Sequence, residues 1–302
     1  MHPNLLALIA IALWSTLAIL GVSLAHVPPF LLTGVTLLIG ALVALPLLWQ
    51  STAKRAGFFD WQALRISPQV LALGIYGLFG FHFLLFIALR HAPPVQANLV
   101  NYLWPLGIVV MAPLFIPGVR LSATYLIAAC VGFMGACIAI AGENLLSQGL
   151  TEFLGNAHVS GAMMGYLAAL CSAFIWASYS LVTKRLADIG RGFPTAAIGV
   201  FGLASGVLSL LCHTLLETPA TLSARDWLLI TLMGLGPLGA AFYLWDAALK
   251  KGHAQHIGLL SYLTPLASTA LLMVFTGKPF TPSIALATAL IVGAALLGAR
   301  AK

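Results

Sequence analysis

Apolar runs, each close to the length of a bilayer crossing and separated by short polar or turn-rich breaks, succeed one another along the chain. Crossing the hydrocarbon core takes roughly 20 apolar helical residues. With boundaries set at polar breaks, prolines and glycines, the pattern predicts spans at 4–24, 29–49, 68–88, 95–116, 122–141, 161–182, 194–215, 227–248, 254–275 and 281–299. Backbone groups in lipid must be satisfied within their own segment, so these runs are expected to be helices. The expected fold class is an all-α membrane protein with ten transmembrane helices. Ser23-Leu24-Ala25 has the small-x-small form of a signal cleavage site. The first run lacks a basic leader and further runs follow it, so it is read as the first helix.

The pattern also repeats. Ala88-Leu89-Arg90-His91-Ala92-Pro93-Pro94, leading to Asn101-Tyr102-Leu103-Trp104-Pro105-Leu106, is answered in the second half, at one constant offset, by Ala248-Leu249-Lys250-Lys251-Gly252-His253-Ala254, leading to Ser261-Tyr262-Leu263-Thr264-Pro265-Leu266. Ala12-Leu13-Trp14-Ser15-Thr16 is answered at nearly the same offset by Phe174-Ile175-Trp176-Ala177-Ser178. The first helix thus pairs with the sixth and the fourth with the ninth. The reading is of two five-helix repeats, residues 1–150 and 151–302, around a central cavity. Five is odd, so the second repeat is expected to be inverted relative to the first, an arrangement that carriers use for alternating access.

Composition changes the picture little. Hydrophobic residues make up 61% and charged residues 7% of the chain, against about 25% charged in a soluble domain, which excludes a water-solvated globule. Fourteen Lys and Arg against seven Asp and Glu do not indicate nucleic acid, because they sit singly or in pairs at helix ends. Their distribution orients the chain. With the N-terminus in the cytoplasm, Lys54, Arg55, Arg65, Arg120, Lys184, Arg185, Arg191, Lys250, Lys251, Arg300 and Lys302 fall inside, and only Arg90, Arg225 and Lys278 fall outside. The positive-inside rule therefore places both termini in the cytoplasm of a prokaryote, with the chain multi-pass in the inner membrane. Glu143, Glu152, Glu217 and Asp226 fall outside, though acids orient weakly.

Candidate chemistry lies at mid-span, where polar side chains are expected to face the bundle interior or a wet cavity. Equivalent helices supply it: Trp14, Ser15 and Thr16 against Trp176, Ser178 and Tyr179; Asn101, Tyr102 and Trp104 against Ser261 and Tyr262; His82 against Phe242, with Tyr243 nearby. Trp49, Trp61 and Trp227 stand at span ends and read as interfacial belt residues. Pro105 and Pro265 occupy equivalent positions and are expected to open their helices as hinges. Asp246 is the one acid placed inside a span, four residues before Lys250. It is either an ion-paired group near the surface or a group that couples transport to protons. Gly234-Leu235-Gly236-Pro237-Leu238-Gly239 fits a dinucleotide fingerprint but lies within a span, with no preceding strand, and reads as close helix packing. Gly161 with Gly165, and Gly202 with Gly206, form GxxxG pairs. His253 and His256 have no carboxylate or thiol beside them, and Cys130, Cys137, Cys171 and Cys212 lie in apolar runs, so no metal site, cofactor or disulfide is expected.

At these residues the chain resembles the drug/metabolite transporter superfamily, in its ten-helix EamA-repeat branch. The stretches Ile11-Ala12-Leu13-Trp14-Ser15-Thr16, Asn101-Tyr102-Leu103-Trp104-Pro105 and Ala173-Phe174-Ile175-Trp176-Ala177-Ser178-Tyr179 are similar to the aromatic amino-acid exporters of that branch. The resemblance covers nearly the whole chain. It implies a small-molecule cargo, an aromatic or other neutral amino acid or related metabolite, exported from the cytoplasm by alternating access. A carrier for another metabolite or a cationic drug is the alternative. A membrane-embedded enzyme would need an acid pair, a nucleophile with its base, or a metal cluster within the spans, and no such constellation is found. Monomer and homodimer are both compatible with the sequence.

Overall fold

The computed structural model describes residues 1–53, 66–157, 162–277 and 281–300, and their side chains except at 49–53, 142–157 and 276. Lys54, Arg55, Trp61, Arg65, Gly161, Lys278 and Lys302 lie outside the described residues, as do the side chains of Trp49, Glu143 and Glu152. Ten stretches among the described residues are helical, long and apolar enough to cross a membrane.

The first span is α1 (Pro3–Ser15) and α2 (Leu17–Ser23), interrupted at Thr16; the second is α3 (Pro29–Ala41) and α4 (Ala44–Ala53). The third joins α5 (Pro68–Ile75) to α6 (Phe81–His91) through a π-helical turn, Tyr76–Gly80. The fourth is α7 (Pro94–Asn101) and α8 (Trp104–Phe115), and the fifth is α9 (Ala123–Ala157). α10 (Ala162–Asp188) and α11 (Ala197–Leu216) are the sixth and seventh. The eighth joins α12 (Ala224–Leu235) to α13 (Ala241–Lys251) through a second π-helical turn, Gly236–Ala240. α14 (Ala254–Leu260) and α15 (Leu263–Thr276) form the ninth, and α16 (Pro282–Arg300) the tenth.

Local chemistry sets these boundaries. Pro3, Pro29, Pro68, Pro94 and Pro282 each open a helix, where the missing N–H costs nothing. Ser67 Oγ caps α5 by accepting from Val70 N at 3.3 Å, and Ser223 forms a capping box with Asp226 at the start of α12. Two expected ends move. α9 continues past 141 to Ala157, so residue 150, the expected join between the halves, lies inside it, and α10 runs past 182 to Asp188.

The repeat shows in the elements themselves. The two π-helical turns begin at Tyr76 and Gly236, and the helices after them, α6 and α13, end at His91 and Lys251, the same offset that relates the repeated sequence stretches. Pro237 explains the second turn, since it has no N–H to give an α-helical ladder. In the first, side chains take up the carbonyls: His82 Nδ1 donates to Leu78 O at 2.6 Å and Ser172 Oγ to Phe81 O at 3.0 Å. Equivalent spans pack on one another, α3 along α11 and α9 along α16.

Glycine allows the closest of these approaches. A Cβ on Gly40 of α3 would stand 2.8 Å from Leu238 O and 2.9 Å from Gly234 O. The glycine-rich stretch at 234–239 is therefore a packing surface for the second span.

Candidate functional site

The interruptions in the first, fourth and ninth spans converge. A cavity of about 270 Å3 lies against them, lined by Ala18 of α2, Asn98 of α7, Tyr102 at the end of α7, and Pro265, Ser268 and Thr269 of α15. Ile138 to Ile140 of α9 and Ile284 of α16 also line it. All these halves lie away from the face that carries the N-terminus. Tyr102 and Leu103 separate α7 from α8, and Ser261 and Tyr262 separate α14 from α15. Pro105 and Pro265 sit in the first turns of α8 and α15. The prolines begin new helices just after the interruptions rather than bending continuous ones, because a first turn has no use for their missing N–H.

On the other side of the interruptions lies an aromatic cluster. Trp14 of α1 meets Trp176 of α10 at 5.9 Å between ring centroids and Trp245 of α13 at 5.2 Å. Trp104 of α8 stands edge-on to Trp176 at 6.4 Å and to Trp245 at 5.6 Å. Phe242 contacts Trp14, Trp176 and His82 at 6.0, 5.6 and 6.2 Å, and Phe81 contacts Trp176 at 5.4 Å. Tyr179 stacks beside Trp176 at 5.5 Å. Edge-to-face pairs of this kind contribute about 0.5–1.5 kcal/mol each beyond area burial. Two repeat-equivalent pairs, Trp14 with Trp176 and His82 with Phe242, touch one another here. The four tryptophans are buried, and the cluster lies on the N-terminal side of the interruptions while the cavity occupies the opposite half.

The remaining residues singled out in the sequence divide. Asn101 is buried, with its side-chain amide 3.2 Å from Ser172 Oγ, which links the end of α7 to α10. Ser15 Oγ donates to Ile11 O at 2.7 Å and lies 3.4 Å from Thr264 O, beside Pro265. Ser178 turns to the third span, with its Oγ 2.8 Å from the Tyr76 hydroxyl. Three residues stand apart from cluster and cavity. Tyr243 points at α3, donating to Gly40 O at 3.2 Å and lying 3.3 Å from Ala41 O. Tyr262 packs its ring over Gly132 within a separate apolar group containing Val109 and Ile291. Ser261 returns its hydroxyl to Gly258 O in its own turn. Depth in the span says nothing of the face, and these side chains meet other neighbours than the cluster or the cavity.

Trp245 and Phe81 belong to the cluster and were missed. The signal for Trp245 was present: it follows Phe242 by three residues and shares its face, whereas Tyr243 is turned about 100° away. Asp246 is held near the N-terminal face. Its Oδ2 accepts from Lys250 Nζ and Thr195 Oγ1, each at 2.6 Å. This is the geometry of the ion-paired alternative.

Comparison with known proteins agrees with this architecture. The chain matches the EamA-like transporter family over residues 2–141 and 163–299. It is 39% identical over 292 residues to a protein of Ancylobacter novellus named aromatic amino acid exporter YddG, covering 97% of this chain and 95% of that one. A protein of the same name from Salmonella typhimurium is 30% identical, covering 92% of this chain and 90% of that one. A crystal structure of a protein 38% identical superposes with a TM-score of 0.84, covering 98% of this chain and 96% of the other. On the family match and these relatives, the ten-helix chain is a multi-pass membrane protein and belongs to the EamA-like transporter family.

Proposed function

We propose that the protein is a secondary transporter that exports aromatic and other neutral amino acids from the cytoplasm by alternating access. The observation that carries the reading is a polar-edged cavity against three interrupted spans, with four tryptophans meeting on the other side of the same interruptions. Interrupted helices at mid-membrane are where secondary carriers bind cargo. A zwitterion needs donors for its carboxylate and acceptors for its ammonium, and Asn98, Tyr102, Ser268 and Thr269 supply both. An aromatic side chain needs flat apolar partners, and the cluster supplies them. The relatives named as aromatic amino acid exporters support the same cargo and direction.

The basic residues support a bacterial inner membrane with both termini in the cytoplasm. On that orientation the tryptophan cluster lies on the cytoplasmic side of the interruptions and the cavity on the outer side. The equivalent elements at a constant offset, and the packing of equivalent spans on each other, support two inverted halves. A cationic-drug pump would be expected to present an unpaired carboxylate to its cargo, and Asp246 is already taken by Lys250.

Exchange of labelled tryptophan, phenylalanine, alanine and a cationic dye across liposomes containing the pure protein tests the reading. Saturable exchange of tryptophan and phenylalanine without the dye is expected. Dye exchange with none of the amino acids would overturn it.

A further inference from the structure

Arg90 and Lys250 are equivalent residues of the repeat, at the ends of α6 and α13. Each lies over the ring of a phenylalanine from the start of the preceding span. Arg90 Cζ is 5.6 Å from the centroid of Phe30, which opens α3, and Lys250 Nζ is 4.0 Å from that of Phe193, which leads into α11. Each is also paired with a buried carboxylate. Arg90 Nη2 donates to Glu217 Oε1 at 2.8 Å and Lys250 Nζ to Asp246 Oδ2 at 2.6 Å, with the two acids 2% and 3% exposed. Five crossings separate the two ends, so the two groups lie on opposite faces.

Both sites tie a gating span to a packed one. Glu217 Oε1 and Oε2 accept from Phe30 N at 3.0 and 3.1 Å, Oε2 also from Leu31 N at 3.2 Å, and His213 Nδ1 is 3.0 Å from Oε2. The seventh span thereby caps the start of the second, where Pro29 has no N–H to give, and Arg90 fastens the third span to both. On the N-terminal face, Lys250 also donates to Phe193 O at 2.7 Å, and Thr195 Oγ1 donates to Asp246 Oδ2 at 2.6 Å, fastening the eighth span to the segment that starts the seventh. The third and eighth spans carry the π-helical turns, His82 and Phe242, and so contact the aromatic cluster directly.

We propose that Arg90 with Phe30 and Glu217, and Lys250 with Phe193 and Asp246, are paired latches on opposite faces whose alternate release sets which side of the carrier opens. The proposal rests on the carrier reading and deepens it. Arg90 and Lys250 are positioning residues: they act on the cargo site through α6 and α13. The equivalence of Arg90 and Lys250, held on opposite faces by different acids, gives the two latches opposite effects on one equilibrium, whereas two merely structural ion pairs would each lower stability without opposing one another.

The test uses the full chain in nanodiscs, with Cys130, Cys137, Cys171 and Cys212 replaced by serine and Ser268→Cys as a reporter in the cavity. The rate of maleimide labelling needs neither a known cargo nor a known orientation. Arg90→Gln is expected to raise the rate about three- to fivefold and Lys250→Gln to lower it similarly, with the double variant near the parent. Arg90→Lys should restore the parent rate. Phe30→Leu and Phe193→Leu should shift it in the same opposite directions, so the test holds if a charge variant fails to fold. Equal rates, or shifts of the same sign, in variants of parental melting temperature would overturn the proposal. Failure of amino-acid exchange with opposed labelling shifts intact would instead strike the cargo reading alone.

Discussion

Trp176 contacts more of the cluster than its neighbours do, touching Trp14, Phe81, Trp104, Tyr179 and Phe242. On the proposed reading, removing its ring takes away the central apolar face for an aromatic cargo. Trp176→Ala should weaken tryptophan binding about tenfold, or ~1.4 kcal/mol, and Trp176→Phe by less. Equal affinity in the folded alanine variant, measured by direct binding, would remove Trp176 from the cargo path. Tyr243→Phe is the matching control: it loses a bond to the Gly40 carbonyl, so it should lower stability by about 1 kcal/mol and leave affinity unchanged. Asp246 bears on energy coupling. Its Oδ2 is shared by Lys250 and Thr195, and its Oδ1 is buried without a partner among the described residues. On the latch reading this carboxylate holds Lys250 and carries no transported proton, so Asp246→Asn should shift the labelling rate in the direction of Lys250→Gln while keeping substantial exchange and the parent's response to an imposed pH gradient. Loss of pH-driven accumulation with gradient-free exchange preserved would make Asp246 the coupling group.

Among the elements, the crossing of the second span over the eighth is held by backbone contact. A methyl group on Gly40 would meet the carbonyls of Leu238 and Gly234 and the Cα of Gly239, none of which can rotate away. Gly40→Ala should therefore cost about 1–3 kcal/mol and lower the melting temperature, while Gly21→Ala, which meets nothing within 4 Å, should not. Similar melting of both variants would show that the crossing is looser than these contacts require. The spans themselves were legible because crossing length is imposed by the bilayer and prolines mark their starts, as Pro29, Pro68, Pro94 and Pro282 do. The interruptions near Pro105 and Pro265 were legible for the same reason. The π-helical turn at Tyr76–Gly80 was not: one extra residue in a turn leaves no side-chain signature, and only Pro237 in its counterpart hints at it. The site was half legible. Depth in a span found Trp14, Trp104 and Trp176, but depth does not fix the face of a helix, so Tyr243 was included and Trp245 passed over.

At the scale of the whole molecule, the repeat and the charge pattern make one joint statement. Five crossings put the ends of α6 and α13 on opposite faces, and the single crossing of α11 puts the loop between the seventh and eighth spans opposite the loop between the sixth and seventh. The first of these loops has Thr221 exposed, and the second has Ile189 exposed beside the basic run Lys184, Arg185 and Arg191. Basic loops are retained in the cytoplasm because moving each positive charge across an energised membrane opposes the potential. Ile189 is therefore expected inside and Thr221 outside. In the serine background, Thr221→Cys should react with an impermeant maleimide in spheroplasts within minutes, and Ile189→Cys only after permeabilisation. Both positions are solvent-facing and distant from the cluster, so neither substitution is expected to disturb folding. The reverse labelling pattern would invert the chain, exchange the cytoplasmic and outer latches, and place the cavity on the cytoplasmic side; labelling of both positions in spheroplasts would contradict a seventh span that crosses the membrane.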